Sequence, residues 1–212
     1  MGNPQTIWYN IEKNLVETID QRYLPFQNLI TEISTLDEAR TAITEMIVRG
    51  APLIGVTAAY GMYLAARNYS GIEFHSEMNR AADWLKSSRP TAINLAFAID
   101  EALSTISTQL TVPENSNLLL EYAEELKQRE IGFSEKMGGF GLEIIQEIRR
   151  QKNGEPVNIL THCNAGRLAT VELGTATAPM YLAHQAGIPI HVWVDETRPR
   201  NQGARLTAWE LG

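Results

Sequence analysis

The feature of this 212-residue chain that most constrains its fold is a strand, helix and strand pattern near its carboxyl end. Apolar runs of strand type cover residues 157–161 and 190–194. Residues 168–186 between them have helical periodicity, and Gly187-Ile-Pro189 leads into the second run. A pattern with this spacing predicts a βαβ unit, in which a right-handed crossover joins two parallel strands.

The preceding residues predict a separate helical domain. Alternation of polar and apolar residues over 6–10 and 14–20 predicts a small β-hairpin. Helical spacing follows over 36–48, capped by Ser34 or Thr35, and then over 52–67, from Pro90 to Leu103, 115–133 and 139–149. The polar segment 151–156, with its Gly and Pro, marks a boundary. We therefore predict an α/β fold, with a helical N-terminal domain and small β-hairpin over 1–150 and the first half of a Rossmann-like parallel sheet domain over 151–212.

Composition limits the partners of such a chain. With 44% hydrophobic and 20% charged residues it can bury a core, and its net charge of -7 argues against a nucleic-acid surface. The single cysteine cannot form an internal disulfide and fits a reducing cytoplasm. The first residues lack the pattern of a secretion signal, and no segment stays apolar long enough to span a bilayer. We expect a cytoplasmic protein with no nucleic-acid and no membrane partner.

Two polar motifs follow the two predicted strands. Thr161-His-Cys-Asn-Ala-Gly166 comes at the end of the first strand, and Asp195-Glu-Thr-Arg-Pro-Arg200 at the end of the second. Ligands of open parallel sheets bind beyond the carboxyl ends of the strands. The placement of both motifs therefore makes them candidates for a binding or catalytic site.

The first motif contains Cys163, the only cysteine. If a helix starts just after it, the positive helix end favours thiolate character and can also bind a phosphate. A lone cysteine is, however, often an inert small hydrophobic residue, so both interpretations stay open. Likewise, Asn164 and Gly166 suit either a turn that exposes N–H groups to an anion or an ordinary tight connection.

The four histidines carry less information. His162 would point to the opposite face of the strand from Cys163, so a Cys-His pair is not implied, and we expect a hydrogen-bonded core imidazole. His75, His184 and His191 are scattered, and no spacing resembles a metal site. We predict no metal and no cofactor.

Two arginines precede predicted helix starts that contain proline. Arg49 is followed by Gly50, Ala51 and Pro52, and Arg89 by Pro90. Each arginine could cap the preceding helix as a cation at its C-terminus. Alternatively, Arg49 and the N–H groups of Gly50 and Ala51 clamp a phosphate, with Arg89 acting in the same way. Two such starts in one domain favour an anionic ligand.

The second motif is rich in charge for a loop after an apolar strand. It could be a solvated surface turn with local ion pairs, each of which contributes little. It could also bind a sugar, since carboxylates and amides pair with hydroxyl groups. On that interpretation Asp195, Glu196 and Gln202 are the candidate contacts.

Together these segments resemble the methylthioribose-1-phosphate isomerases. The resemblance covers nearly the whole chain, in order and at similar spacing. It is carried by Arg49-Gly-Ala-Pro-Leu-Ile-Gly55, Arg89-Pro-Thr-Ala-Ile-Asn-Leu95, Thr161-His-Cys-Asn-Ala-Gly166 and Asp195-Glu-Thr-Arg-Pro-Arg-Asn-Gln-Gly-Ala-Arg-Leu-Thr-Ala-Trp-Glu-Leu211. The wider superfamily includes ribose-1,5-bisphosphate isomerases and the regulatory subunits of the eukaryotic translation-initiation guanine-exchange factor. The Glu-Thr-Arg-Pro element, Gln202 and Thr207-Ala-Trp-Glu favour the methylthioribose branch.

The resemblance implies a sugar-phosphate isomerase of methionine salvage, active as a cytoplasmic homodimer without a cofactor. It assigns transition-state stabilisation to Cys163, and it assigns substrate binding to Arg49, Gly50, Ala51, Arg89 and Gln202. The reaction turns 5-methylthioribose 1-phosphate into 5-methylthioribulose 1-phosphate. Because the phosphate blocks simple ring opening, a proton or a hydride must move between C1 and C2 in a dry pocket, and this needs an acid-base carboxylate.

The chain departs from the family pattern in several places. The family's acid-base aspartate, in a later Gly-Ala-Asp-type motif, and an Asn-Lys pair both fall beyond Gly212. Arg167 stands where the family usually has a small residue, and Gly139 replaces an acidic residue. We therefore expect an incomplete, poorly soluble chain without turnover. The alternatives are an inactive fragment, a regulatory or binding module of the initiation-factor type, and a ribose-1,5-bisphosphate isomerase.

Overall fold

The structure is a computed structural model that describes residues 5–212, which form a mixed α/β protein. No helix in this range is both long and apolar enough to cross a membrane. The strands are β1 (Ile7–Asn10), β2 (Leu15–Ile19), β3 (Ile30–Ile33), β4 (Val157–His162) and β5 (Ile190–Asp195). The α-helices are α1 (Leu36–Thr44), α2 (Ala51–Arg67), α3 (Phe74–Lys86), α4 (Ile93–Thr105), α5 (Val112–Gln151), α6 (Ala178–Gln185) and α7 (Ala208–Leu211).

The chain forms two compact units. The helical unit comprises Ile7–Arg22 and Asn28–Arg129. The sheet unit comprises residues 5–6, Tyr23–Gln27 and Glu130–Gly212. Helix α5 contributes to both, because the division falls inside it. The domain boundary predicted at residue 150 stays a prediction.

The helical unit combines a small sheet with packed helices. Strands β1 and β2 form the predicted hairpin, with Ile7 opposite Thr18, and β3 adds a third antiparallel strand that the sequence did not predict. Helix α1 begins with a capping box in which Thr35 and Glu38 each bind the other's backbone N–H. Helix α2 is buried along almost its whole length and packs against α1, α3 and α4. The core of the unit therefore lies around α2.

Three predictions for the helices differ from the structure. Helix α3 was not predicted, and α4 begins at Ile93 because the residues after Arg89 form a turn, in which Ala92 N donates to Arg89 O at 2.9 Å. Residues 112–151 form one helix of 40 residues, whereas two were predicted. Glycines of this helix let α6 approach closely. A Cβ added at Gly138 would lie 2.8 Å from Leu182 Cδ1, and one at Gly141 would overlap Pro179.

The sheet unit contains the predicted parallel pair. Strands β4 and β5 pair in register from Val157 opposite Ile190 to His162 opposite Asp195. The crossover differs from the predicted helix over 168–186, since it consists of a three-residue 3-10 helix, Arg167–Ala169, a turn and the short α6. Within that turn Leu173 and Gly174 adopt positive φ, and Thr177 Oγ1 donates to Leu173 O at 2.7 Å. Such side-chain bonds to the backbone compete with helix formation.

The glycines of α5 give a matched pair of substitutions. We expect Gly141→Ala to destabilise the protein by about 1–3 kcal/mol, because the new methyl group would displace the rigid ring of Pro179. A Cβ at Gly139 meets nothing within 4 Å, so Gly139→Ala should stabilise the protein by up to about 1 kcal/mol through helix propensity. Urea unfolding followed by circular dichroism measures both. Stabilisation by Gly141→Ala would contradict the packing of α6 against α5.

Candidate functional site

Cys163 lies directly after β4 at the carboxyl edge of the parallel pair. Its N–H donates to Asp195 O at 3.2 Å, and its carbonyl accepts a hydrogen bond from Thr207 Oγ1 at 2.5 Å. The residue has φ of 63°, in the left-handed region that non-glycine residues enter at a cost. The side chain is half-buried. The backbone at the thiol is therefore held from two sides in an uncommon conformation.

The helix predicted to begin after this thiol is absent from residues 164–177. Only the single 3-10 turn Arg167–Ala169 forms, and α6 starts at Ala178. The dipole of a helix grows from many aligned peptide units, which one turn does not provide. The expectation that Cys163 lies at a helix N-terminus was therefore wrong.

The turn after Cys163 instead binds a carboxylate of the chain itself. Glu210 Oε1 accepts a hydrogen bond from Asn164 Nδ2 at 2.7 Å, and Glu210 Oε2 accepts one from Leu168 N at 3.3 Å. A Cβ added at Gly166 would overlap the same carboxyl group. The anion that this turn holds is thus the Glu210 side chain, and Gly166 makes room for it.

Glu210 has an altered acidity. Burial raises the pKa of this carboxyl to about 7, against the bonds from Leu168 and Asn164 and the charge of Arg167. The Tyr181 hydroxyl donates to the backbone carbonyl of Glu210 at 3.0 Å, and His184 and His191 line the same cavity as Glu210. Glu210 was not among the residues predicted for the site. The available signal was one acidic residue among apolar neighbours, three positions after Thr207.

Asp195 pairs with His162 across the two strand ends. His162 Nδ1 lies 2.8 Å from Asp195 Oδ2, and the side chains are 63% and 59% exposed. The expected core imidazole was therefore wrong, because His162 lies at the surface and has an acidic partner. The hydrogen bond from His162, followed by that from the Glu196 N–H, lowers the pKa of Asp195. The carboxyl of Asp195 is thus ionised at neutral pH.

Glu196 caps the helical segment that follows it. Its carboxylate accepts hydrogen bonds from the N–H groups of Gly203 at 2.8 Å, Ala204 at 3.0 Å and Thr197 at 2.7 Å. Partial desolvation acts to raise the pKa of Glu196, but these donations hold it below its usual value. Gln202, in contrast, is half-buried, and its Oε1 accepts a hydrogen bond from Arg200 N at 3.3 Å. Of the three candidate sugar contacts, the two carboxylates thus already have strong partners.

The arginine segments lie in the helical unit. Gly50 has φ of 93° and is the residue before α2, where it supplies no side-chain cap to the first N–H groups of that helix. Arg49 lies beyond the end of α1 at Thr44, and its Nη2 donates to Gln21 O at 2.9 Å.

The segments of Arg49 and Arg89 precede two helices, α2 and α4, that lie side by side. A Cβ added at Gly55 in α2 would be 3.2 Å from Asn94 O in the first turn of α4. Both arginines are half-buried. Cys163 and Gln202 belong to the sheet unit. Among the described residues, no group of three or more His, Cys, Asp or Glu side chains could hold a metal ion.

Comparison with known proteins identifies one matching family model and several similar enzymes. The family model described as the Initiation factor 2 subunit family matches residues 47–212. The methylthioribose-1-phosphate isomerase of Desulfosudis oleivorans is 46% identical over 207 residues, which cover 97% of this chain and 56% of that protein. The chain thus spans about half the length of the curated relatives it matches.

Two solved structures are similar to this one. The 5-methylthioribose 1-phosphate isomerase of Pyrococcus horikoshii is 36% identical with a TM-score of 0.86, and the match covers 98% of this chain and 56% of that one. Translation initiation factor eIF-2B, subunit delta, from A. fulgidus is 38% identical with a TM-score of 0.85, over 98% of this chain and 59% of that one.

The raised pKa of Glu210 makes stability depend on pH in a defined direction. In the native state the Glu210 carboxyl keeps its proton up to about pH 7, whereas in the unfolded chain a glutamate carboxyl keeps it only up to about pH 4.5. Between these values the native state therefore binds more protons than the unfolded state. The stability that Glu210 contributes below pH 4.5 is therefore lost as the pH rises through 7. We expect the free energy of unfolding of the wild type, relative to Glu210→Gln, to fall by about 3 kcal/mol over this interval.

Urea unfolding at several pH values measures this difference. Glu143→Gln is the matched control, because Glu143 is an exposed side chain of the sheet unit. Its difference from the wild type should stay flat over the same pH range. A difference between the wild type and Glu210→Gln that rises with pH would show that the Glu210 carboxyl is ionised more easily, not less, in the native state.

Proposed function

The chain belongs to the Initiation factor 2 subunit family, and from that premise we propose that it carries the phosphate-binding and thiol-bearing parts of a methylthioribose-1-phosphate isomerase. The observation that supports this most is the position of Cys163 at the carboxyl edge of the parallel pair, in a chain nearly half identical to an isomerase of that name. Ligands of such sheets bind at this edge.

The proposed reaction converts 5-methylthioribose 1-phosphate into 5-methylthioribulose 1-phosphate in methionine salvage. The hydrogen on C2 moves to C1, as a proton or a hydride, and the C2 hydroxyl loses its proton to become the carbonyl. The ring C1–O bond breaks, and the released oxygen takes up a proton. Substrate and product are isomers, so the reaction needs no oxidant or reductant. It does need a group that moves protons and a site that binds the phosphate.

Phosphate binding falls to the arginine segments. We assign the phosphate to Arg49, Arg89 and the N–H groups of Gly50 and Ala51, since a helix start whose N-cap residue is glycine and a guanidinium together suit an anion. The adjacency of the first turns of α2 and α4 supports a joint role. Gln202 would bind a sugar hydroxyl through its amide.

Cys163 would contact the reacting carbons and stabilise charge that develops there. The proton transfer is not assigned to Asp195 or Glu196. Asp195 has a lowered pKa and a histidine partner, and Glu196 holds three backbone N–H groups. We assign it to the aspartate of the later Gly-Ala-Asp-type motif that the resemblance implies.

The setting of the enzyme is part of the proposal. A net charge of -7 and a single cysteine support an enzyme of the cytoplasm that binds no nucleic acid. The resemblance supports a homodimer that needs no metal and no cofactor. A regulatory module is the second candidate function, favoured by the similarity to the A. fulgidus initiation-factor subunit. A ribose-1,5-bisphosphate isomerase is the third.

The activity is tested with two proteins, the chain itself and the chain continued with the segment of the D. oleivorans isomerase that lies beyond the match. Product formation from 5-methylthioribose 1-phosphate is followed by NMR. We expect the continued protein to isomerise this sugar, and we expect Cys163→Ser to lower its kcat by about 100-fold or more, as for other groups that stabilise a transition state. A folded continued protein without turnover would favour the regulatory module, and preference for ribose 1,5-bisphosphate would favour the third candidate.

Phosphate binding gives a separate expectation. Arg49→Ala and Arg89→Ala should each weaken binding of the sugar phosphate by about 10-fold to 100-fold, the loss of one charge-assisted contact. Calorimetric titration measures the Kd. Arg80→Ala is the control, because Arg80 is exposed and pairs with Glu77 on the surface of α3. Unchanged affinity in both variants would make these arginines structural.

A further inference from the structure

We propose that Glu210, together with Thr207, positions the thiol of Cys163, so that Glu210 is a positioning residue for the candidate site. An effect of this positioning on catalysis rests on the proposed function. The position itself rests on a network of hydrogen bonds inside the sheet unit, and none of the proposed substrate-binding residues takes part in it.

The first part of the network is Thr207. This residue is fully buried, and its hydroxyl donates to the carbonyl of Cys163 at 2.5 Å. The Thr207 hydroxyl oxygen also accepts a hydrogen bond from Asn164 Nδ2 at 3.0 Å. Thr207 thus holds both the residue that carries the thiol and the residue after it.

The second part is Glu210, which lies three residues after Thr207 on the same helical face. Asn164 Nδ2 also donates to Glu210 Oε1 at 2.7 Å, and Leu168 N donates to Glu210 Oε2 at 3.3 Å. Gly166 lies between Asn164 and Leu168, and the Glu210 carboxyl group leaves no room for a side chain at this position. Glu210 therefore joins the two ends of the turn that starts at the thiol.

The thiol depends on this support because its backbone is in an unfavourable conformation. A φ of 63° is uncommon for a residue with a side chain and persists only where the surroundings enforce it. Without its partners, Cys163 would relax toward negative φ, and its Cβ and sulfur would move with it. The direction of the thiol is thus set in part by a residue that does not touch it.

The chemistry of the network specifies a carboxylate. The atoms that face Glu210 from the turn are N–H donors, including the backbone N–H of Arg167. A carboxylate accepts with both oxygens, whereas a glutamine amide would place an NH₂ group against one of these donors. Glutamine has nearly the same volume, so Glu210→Gln removes the complementarity and keeps the packing. Ala165 O is held separately by Thr175 N at 2.8 Å, which keeps the turn attached to the crossover.

Alkylation of the thiol by iodoacetamide tests the proposal, since Cys163 is the only cysteine. We expect Glu210→Gln to raise the rate constant at pH 7.5 by about 10-fold, the equivalent of 1.4 kcal/mol and of one lost hydrogen bond to a charged group. Glu143→Gln, the same change at an exposed position, should leave the rate unchanged. Hydrogen exchange should increase at residues 164–168 and stay slow in β4 and β5.

A second pair of variants covers the case in which Glu210→Gln does not fold. Thr207→Val removes the hydroxyl at constant volume and should raise the alkylation rate similarly. Thr207→Ser keeps the hydroxyl and should return the rate to within about 2-fold of the wild type, less than the loss of a hydrogen bond. A purely structural role would not separate serine from valine in this way. Equal rates in the wild type and folded Glu210→Gln, or in the serine and valine variants, would overturn the proposal.

The result is independent of the isomerase assay, because alkylation needs no substrate. If alkylation changes as expected and the continued protein does not isomerise the sugar, the proposed function fails and the positioning of the thiol stands. If the sugar is isomerised and alkylation does not change, the positioning is wrong and the proposed function stands. Where both hold, Glu210→Gln should lower kcat and leave KM close to that of the wild type, since the phosphate is bound elsewhere.

Discussion

The parallel pairing of β4 with β5 is the constraint on which the candidate site depends. Its register ends with His162 opposite Asp195, and the ladder extends by one bond from Cys163 N to Asp195 O. A register shifted by one residue would turn alternate side chains to the other face and separate these partners. The pairing therefore brings the thiol motif and the acidic motif to one edge, although they are about 30 residues apart in the sequence.

Three carboxyl groups at this edge have different environments and therefore different roles. Asp195 is exposed and paired with a histidine, and Glu196 binds three backbone N–H groups, so both have lowered pKa values. Glu210 is buried, and its pKa is raised to about 7. When their environments shift the pKa values of carboxyl groups in opposite directions, one group can act as a hydrogen-bond acceptor and another can exchange protons. Here the two groups with lowered pKa fix loops, and the group with raised pKa lies against the thiol turn.

Local patterns in the sequence predicted a large part of this architecture. The alternation before Asp20, the capping residue Thr35 and the apolar runs of β4 and β5 each carry a signal within a few residues, and the structure confirms all three. The continuity of α5 and the shape of the crossover were missed, because they depend on which residues meet after folding. Gly141 was predicted to lie in a helix that starts at Gly139, but in the structure it is an internal position of α5 that contacts Pro179. Glu210 was missed for the same reason, since its partners are more than 40 residues away.

Arg167 interacts with the hydrogen-bond network around Glu210. Its guanidinium lies 5.3 Å from the centre of the Trp209 ring, a cation–π distance. Its charge also lowers the pKa of Glu210, in opposition to the burial of that carboxyl group. Arg167 thus places a cation beside the thiol turn and α7, where it stacks on Trp209 and stabilises the ionised form of Glu210. In this chain the arginine and the glutamate are therefore coupled, because the charge of Arg167 offsets part of the cost of burying the carboxylate that holds the turn.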